Sequence, residues 1–279
     1  MIARLALVAA LAIPSALRAD PAEAERVLSI GGAVTEIVVA LGQGARLVGR
    51  DTTSRYPPEV TDLPDVGYIR ALSPEGVLSV APDLIISAEG AGPPEALDVL
   101  ENVGIPFVTV PEGFDRAALR TKIKAIGTAL GVPSDGAALA DATLARLDAA
   151  VAGIDGDAKR VMFVLSTQGG RIMASGTDTA ADGIIRLAGA ENAVTAFDGY
   201  KPLTDEAVAL ADPDVVLMMD RTGDHDTDAA ALFAMPAMAT TKAAGTQALV
   251  KMDGLLLLGF GPRTPEAVER LAAALAAAG

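Results

Sequence analysis

Three features of this chain predict an α/β protein built as two similar lobes with mostly parallel central sheets, joined by one long α-helix, with a ligand cleft between them. The first is the alternation of short β-rich runs with helical stretches along most of the 279 residues, the pattern of sheets covered by crossover helices. The second is an internal repeat. Leu72-Ser73-Pro74-Glu75-Gly76-Val77-Leu78-Ser79-Val80-Ala81-Pro82-Asp83-Leu84-Ile85-Ile86 returns 131 residues later as Leu203-Thr204-Asp205-Glu206-Ala207-Val208-Ala209-Leu210-Ala211-Asp212-Pro213-Asp214-Val215-Val216-Leu217, with capped helix, Pro-Asp turn and buried strand in register. The third is an alanine-rich helical stretch from Ser134 to about Ile154, roughly 30 Å long and so able to span a small domain. These features divide the chain into residues 1–19, a first lobe over 20–133, a connecting helix over 134–155 and a second lobe over 156–279.

Each element has its own local reason. Met1 to Ala19 sets Arg4 before an apolar run, Leu5 to Ile13, then a Pro14 break and small residues, the layout of a secretory signal peptide. That run is too short to span a membrane. Val27 to Ile30 predicts a strand, and after Gly31-Gly32 a helix runs to Leu41 and is closed by Gly42. Leu47 to Gly49 predicts a second strand with a polar exit loop, Arg50 to Pro58; Leu84 to Ser87 and Pro106 to Val110 predict two more, with a helix over Glu95 to Asn102 between them. In the connecting helix Leu139, Thr143, Leu147 and Val151 form the apolar stripe. The second half repeats the scheme: strand Val161 to Leu165, loop Ser166 to Gly170, helix Thr179 to Leu187, strand Val215 to Met219. It closes with strand Leu255 to Leu258 and helix Pro265 to Ala277.

Composition narrows the function. There is no cysteine, so disulfides and thiolate metal sites are excluded. A formal net charge of −14 disfavours nucleic acid. It also makes cationic side chains that converge on one cleft informative, and Arg50, Arg70, Arg221 and Lys201 are the candidates. No nucleophile elbow, Walker-type glycine loop or histidine pair for zinc is present, and one histidine supplies little acid–base chemistry. The enzyme alternative is a cofactor-dependent α/β enzyme.

The most informative stretch is Val66-Gly67-Tyr68-Ile69-Arg70-Ala71-Leu72-Ser73-Pro74-Glu75. Gly67 permits a turn that a side chain would resist. If Tyr68 to Arg70 are extended, the phenol and the guanidinium project to one side. Ser73-Pro74-Glu75 reads as N-cap, N1 proline and an acid facing the positive end of a helix dipole. Strand-to-helix loops of this kind line ligand clefts in α/β folds.

With the paired Glu-x-Val…Pro-Asp pattern, this stretch, Asp51 to Pro57 and Leu258-Gly259-Phe260-Gly261-Pro262-Arg263-Thr264 resemble the helical-backbone substrate-binding proteins of ABC importers for haem, siderophores and cobalamin, and within them the haem-binding branch. The resemblance covers essentially the whole mature chain. It implies a monomeric periplasmic protein, not an enzyme, that carries haem as transported ligand to the ABC permease and ATPase subunits of the inner membrane. A siderophore or cobalamin binder of the same family is the nearer alternative. The resemblance further implies that Tyr68 is the haem iron ligand, since phenolate suits ferric iron, and that Arg70 on the same face stabilises the anion. Arg50 and Arg221 are then candidates for the propionates, and His225 for a second ligand or a gate. Relatives with a histidine in the loop equivalent to Ser166-Thr167-Gln168-Gly169-Gly170 differ from this chain, which has none. Glu75 and Glu206, matched by the repeat, are the implied permease-docking pair.

Overall fold

The computed structural model describes residues 21–154, 156, 158–220 and 227–278; the expected signal segment, Arg221 and His225 lie outside them. The first lobe contains β1 (Val27–Ile30), α1 (Gly32–Ala40), β2 (Leu47–Arg50), α2 (Pro74–Ser79), β3 (Leu84–Ala88), α3 (Pro94–Asn102) and β4 (Phe107–Val110). Its four strands are all parallel in the order β2-β1-β3-β4. Strands β1 and β3 are buried along their whole length, which is why they read as continuous apolar runs rather than alternating ones.

Two helices follow, where the sequence predicted one. Helix α4 (Arg116–Ala129) precedes α5 (Pro133–Ala152). Asp115 caps α4 by accepting from the Ala118 N–H, and Leu119, Ile123 and Ile126 are buried along it. Lys122 interrupts that apolar stripe yet is fully buried, its Nζ donating to Glu112 at 2.7 Å. Helix α5 is no free-standing rod, for it packs along α4 and along α11 (Thr264–Ala277). The α4–α5 crossing is tight because Gly127 and Gly136 meet there: a Cβ added to Gly127 would lie 2.7 Å from the Gly136 Cα. The buried face of α5 is Ala140, Thr143, Leu144, Leu147 and Ala150, while Val151 is exposed. The expected stripe is therefore rotated by part of a turn, because two helices rather than one cover this element.

The second lobe comprises β5 (Arg160–Ser166), β6 (Met173–Ser175), α6 (Ala180–Leu187), β7 (Glu191–Asn192), β8 (Tyr200–Pro202), α7 (Asp205–Ala211), β9 (Val215–Asp220), α8 (Ala229–Phe233), α9 (Lys242–Thr246), β10 (Leu249–Asp253), α10 (Gly254–Leu258) and α11. Strand order is β10-β9-β5-β6-β8, with β7 beside β5. Strands β10, β9, β5 and β7 run parallel, and β6 is antiparallel to both β5 and β8. The leucine run Leu255–Leu258 is helical, not a strand. The Asp253 side chain accepts from the Leu256 N–H and starts a helix there, so the strand lies just upstream at Leu249–Asp253.

The lobes share one core. A single contiguous cluster takes in Val34 and Ile37 of α1, Ile123 of α4, Phe163 of β5, Val216 of β9, Leu256 of α10 and Leu271 of α11. The other face of the first sheet has its own smaller cluster, with Leu28, Ile30, Val77, Ile85 and Leu100. Contacts between the lobes are close. A Cβ on Gly32 would collide with Leu255, and one on Gly183 with the backbone of Phe114. Phe114 and Phe260 meet edge to face at 5.5 Å. The Arg263 Nη2 donates to Glu36 Oε2 at 2.8 Å, while its guanidinium lies 3.5 Å from the centre of the Tyr56 ring.

Candidate functional site

The loops leaving the carboxyl ends of β1 and β2 are held together by one buried carboxylate. Asp51 accepts from the Gly31 N–H at 2.9 Å, from the N–H and Oγ1 of Thr53 at 2.9 and 2.5 Å, and from Ser54 Oγ at 2.6 Å. Hydroxyls continue the network inward, Ser54 to Thr35 and Thr35 to Ser29, at 2.6 Å each. A buried carboxylate is tolerable when its lone pairs are satisfied in this way. Its effect is to fix the polar loop that carries Tyr56 to Arg263.

A second carboxylate, Asp65, builds the approach to Tyr68. It accepts from the Gly67 N–H at 2.8 Å and from Thr52 Oγ1 at 3.2 Å, and it pairs with Arg50 at 3.1 Å. Backbone bonds between Arg50 and Pro64, Arg50 and Val66, and Thr52 and Gly67 lay this segment along the end of β2. At Gly67 the backbone adopts φ 108, a conformation that favours glycine, and the chain is turned outward there. Tyr68 follows, 46% exposed.

Tyr68 to Arg70 are not extended. The Ala71 N–H donates to the Tyr68 carbonyl at 2.7 Å, closing a turn over Tyr68-Ile69-Arg70-Ala71. The turn is anchored to the loop after β3, where the Gly92 N–H donates to the Ile69 carbonyl and the Leu72 N–H to the Gly92 carbonyl, each at 2.9 Å. The simple rule that places residues two apart on one face of a strand therefore does not apply. Tyr68 and Arg70 occupy the first and third positions of a turn lying between the loops after β2 and β3, at the carboxyl ends of the first sheet, where α/β folds bind ligands.

The second lobe contributes Tyr200 at the start of β8, a residue absent from the sequence-based candidates. Burial of the hydroxyl end pushes the Tyr200 phenol above its ordinary value; hydrogen bonding with Thr179, the Ala181 N–H and Ser175 opposes this, and Arg70 opposes it further. The Tyr200 ring packs edge-on against Phe163 at 6.3 Å, and more than a third of the residue remains exposed. The second lobe thus presents a hydrogen-bonded phenol on which the charge of Arg70 from the first lobe acts weakly. The only sequence sign of Tyr200 is an aromatic residue after Gly199, ahead of the repeated helix.

The other candidates fare differently. Arg50 is engaged locally, its side chain 12% exposed, donating to Asp65 and to the carbonyls of Asp51 and Thr61. Lys201 lies over the Phe197 ring at 5.1 Å. Asp220 ends β9 directly before Arg221. Glu75 and Glu206 are exposed in the first turns of α2 and α7, whose caps match as the repeat predicts: Ser73 accepts from the Gly76 N–H and Thr204 from the Ala207 N–H. Hydrogen bonds from its own N–H and from Thr204 hold the Glu206 carboxyl below the usual carboxylate range. Among the described residues no group of three His, Cys, Asp or Glu side chains is arranged to hold a metal ion, and no helix is long and apolar enough to cross a membrane.

Two α/β lobes on a common core, with strand-end loops converging on one mouth, define a binding protein of the interlobe-cleft class. The chain belongs to the periplasmic binding protein family, whose profile matches residues 27–254. Among solved structures it is similar to the periplasmic heme-binding protein BhuT in complex with two hemes, at 44% identity and a TM-score of 0.86 over 91% of this chain and 98% of that one. It is also similar to the periplasmic heme-binding protein RhuT from Roseiflexus sp. RS-1 in apo form, at 37% identity and a TM-score of 0.86 over the same shares. An uncharacterized ABC transporter substrate-binding lipoprotein, YvrC of Bacillus subtilis (strain 168), is 27% identical over 255 residues, 90% of this chain and 79% of that one. These relatives are named as binding and transport proteins.

Proposed function

We propose that this chain is a periplasmic haem-capture protein of an ABC importer. Ferric haem enters between the lobes, and the Tyr68 phenolate takes an axial position on the iron. Phenolate is a hard oxygen donor suited to the ferric state. Arg70 keeps positive charge over the same mouth, which favours the anionic ligand and attracts the propionates of the porphyrin. Arg221, next in the chain after β9, serves the propionates from the second lobe, and Arg50 contributes by holding Asp65 and so the turn. Residues 1–19 direct export. The loaded monomer docks on the permease through Glu75 and Glu206, and capture and handover, rather than catalysis, are its work.

One observation carries this reading. An exposed tyrosine stands on a glycine-turned, doubly anchored loop at the carboxyl ends of the first sheet, with an arginine two residues on in the same turn. The heme-binding relatives named above support haem as the occupant over cobalamin or a siderophore. The test is a haemin titration followed by absorbance, repeated in the presence of cyanocobalamin. The wild-type protein gives a saturable Soret change that cyanocobalamin does not suppress. Tyr68→Ala weakens binding by more than the roughly 10–100-fold typical of losing an outer-shell contact. Wild-type affinity and spectrum in Tyr68→Ala refute the ligand assignment, and suppression by cyanocobalamin refutes the choice of haem.

A further inference from the structure

The internal repeat makes the two lobe tips look equivalent, but their surfaces are not. One turn after Glu75, helix α2 presents Ser79, whose hydroxyl folds back onto the Gly76 carbonyl at 2.7 Å. At the matching place one turn after Glu206, helix α7 presents Leu210, which is 86% exposed, while the other large apolar side chains that reach the surface among the described residues are at most 47% exposed. Leu210 borders a groove of about 440 Å³ between α7 and the 193–197 segment, lined by Val194, Phe197, Pro202, Leu203 and Ala207. Lys201 is drawn over Phe197 along one side. At the amino end of the same helix Asp205 and Glu206 stand exposed, with no ion pair among the described residues. An uncovered leucine, an apolar groove and an unpaired acidic pair on one short helix make a composite surface.

We propose that this face of α7 is an apolar anchor for the periplasmic side of the permease. It takes a segment that lays an aliphatic or aromatic side chain against Leu210 and into the groove while a cation meets Asp205 and Glu206. The acidic pair selects a basic partner, and the leucine beside it excludes water from the ion pairs. Because Ser79 offers nothing comparable, the second lobe binds more tightly than the first, and a protein with two similar tips docks unequally. This rests on the reading of Glu206 as a docking residue.

The experiment measures association of haem-loaded protein with its cognate permease–ATPase complex in lipid nanodiscs, for Leu210→Ala, Leu210→Asp, Ser79→Ala and Glu206→Ala, with haemin titration and circular dichroism as controls. Leu210→Ala is expected to weaken docking about tenfold, the effect of losing one buried aliphatic contact, and Leu210→Asp further. Haem affinity and fold stay intact in both, and Ser79→Ala has no effect. If Glu206→Ala weakens docking and neither Leu210 variant does, the anchor is refuted while the docking reading stands. If Glu206→Ala also docks normally, the docking reading itself fails. A concentration-dependent dimer of the isolated protein that Leu210→Asp abolishes would assign the face to a second copy and overturn the proposal.

Discussion

Breaking the Glu36–Arg263 pair tests whether the two lobes are bolted together. The pair joins α1 of the first lobe to the start of α11 in the second, with side chains 6% and 18% exposed and 2.8 Å between Nη2 and Oε2. Removing one partner of so buried a pair leaves the other charge unmatched in a low-dielectric setting, which costs about 3–5 kcal/mol. For a protein of this size that lowers the melting temperature by roughly 10 °C. The pH dependence separates the two variants. Burial raises the Glu36 carboxyl above its ordinary value despite Arg263, so the stability it contributes is full below its unfolded pKa and is lost as pH rises through the folded one. Wild-type protein therefore gains stability relative to Glu36→Ala as pH falls through the raised folded value towards 4.5, and the gap between them widens. In Arg263→Ala the opposing interaction is gone, the carboxyl is raised further, and the gap to wild type narrows over the same range. Thermal melts by circular dichroism suit a chain without tryptophan. Losses under about 1 kcal/mol, the range of a surface pair, or gaps that move the same way in both variants, would refute the argument.

Two further outcomes bear on the proposed function. Arg70→Ala is expected to retain haem but to lose phenolate coordination earlier as pH falls; an acid titration whose spectral change matches wild type would remove Arg70 from the site. Glu75→Ala and Glu206→Ala are each expected to leave haemin affinity intact while slowing transporter-dependent uptake roughly tenfold, as the loss of an interfacial ion pair does, with the double variant slower than either. Wild-type delivery by both single variants in reconstituted vesicles would make these residues helix-dipole partners only.

Local signals were legible in the sequence, and long-range ones were not. The caps at Ser73 and Thr204, the Pro-Asp turns and the buried strands β3 and β9 are short-range features, and the repeat doubled each of them. Exposure of Tyr68 was foreshadowed by Gly67. The Tyr68-to-Arg70 conformation was not, because the turn is tethered through Ile69 and Leu72 to Gly92, in a loop some twenty residues away. Helix α4 was missed although Asp115, Leu119, Ile123 and Ile126 carry its cap and stripe, since Lys122 sits among them and its partner Glu112 lies outside the helix. The leucine run after Gly254 is a short apolar segment that periodicity cannot tell from a buried strand; leucine favours helix and the Asp253 cap starts one. The contact between lobes made by Glu36 and Arg263, at a separation of 227 residues, has no local signature at all.

The shared core decides which motions are open to such a protein. A wide hinge opening would have to break the Glu36–Arg263 pair, part Phe114 from Phe260 and pull Leu255 away from Gly32, exposing apolar surface at about 25 cal/mol per Å². The glycines at 32 and 183 permit approaches that any side chain would prevent, so the lobes are fitted to each other without slack. Within the proposed function the cleft is expected to be largely formed before its occupant arrives, with affinity set by what lines its mouth rather than by closure around the ligand. In the proposed function, a preformed site that held iron through a phenolate would also hold it when release is needed. Within the proposed function the remaining handle is mechanical. Helices α2 and α7 begin with matched acids on separate lobes and lie outside the tight contacts between them, so force applied through the two tips acts against the α1–α11 contacts. The strength of the Glu36–Arg263 pair then sets the resistance to release: weakening it should leave the mouth residues untouched while making the loaded cleft easier to pry apart.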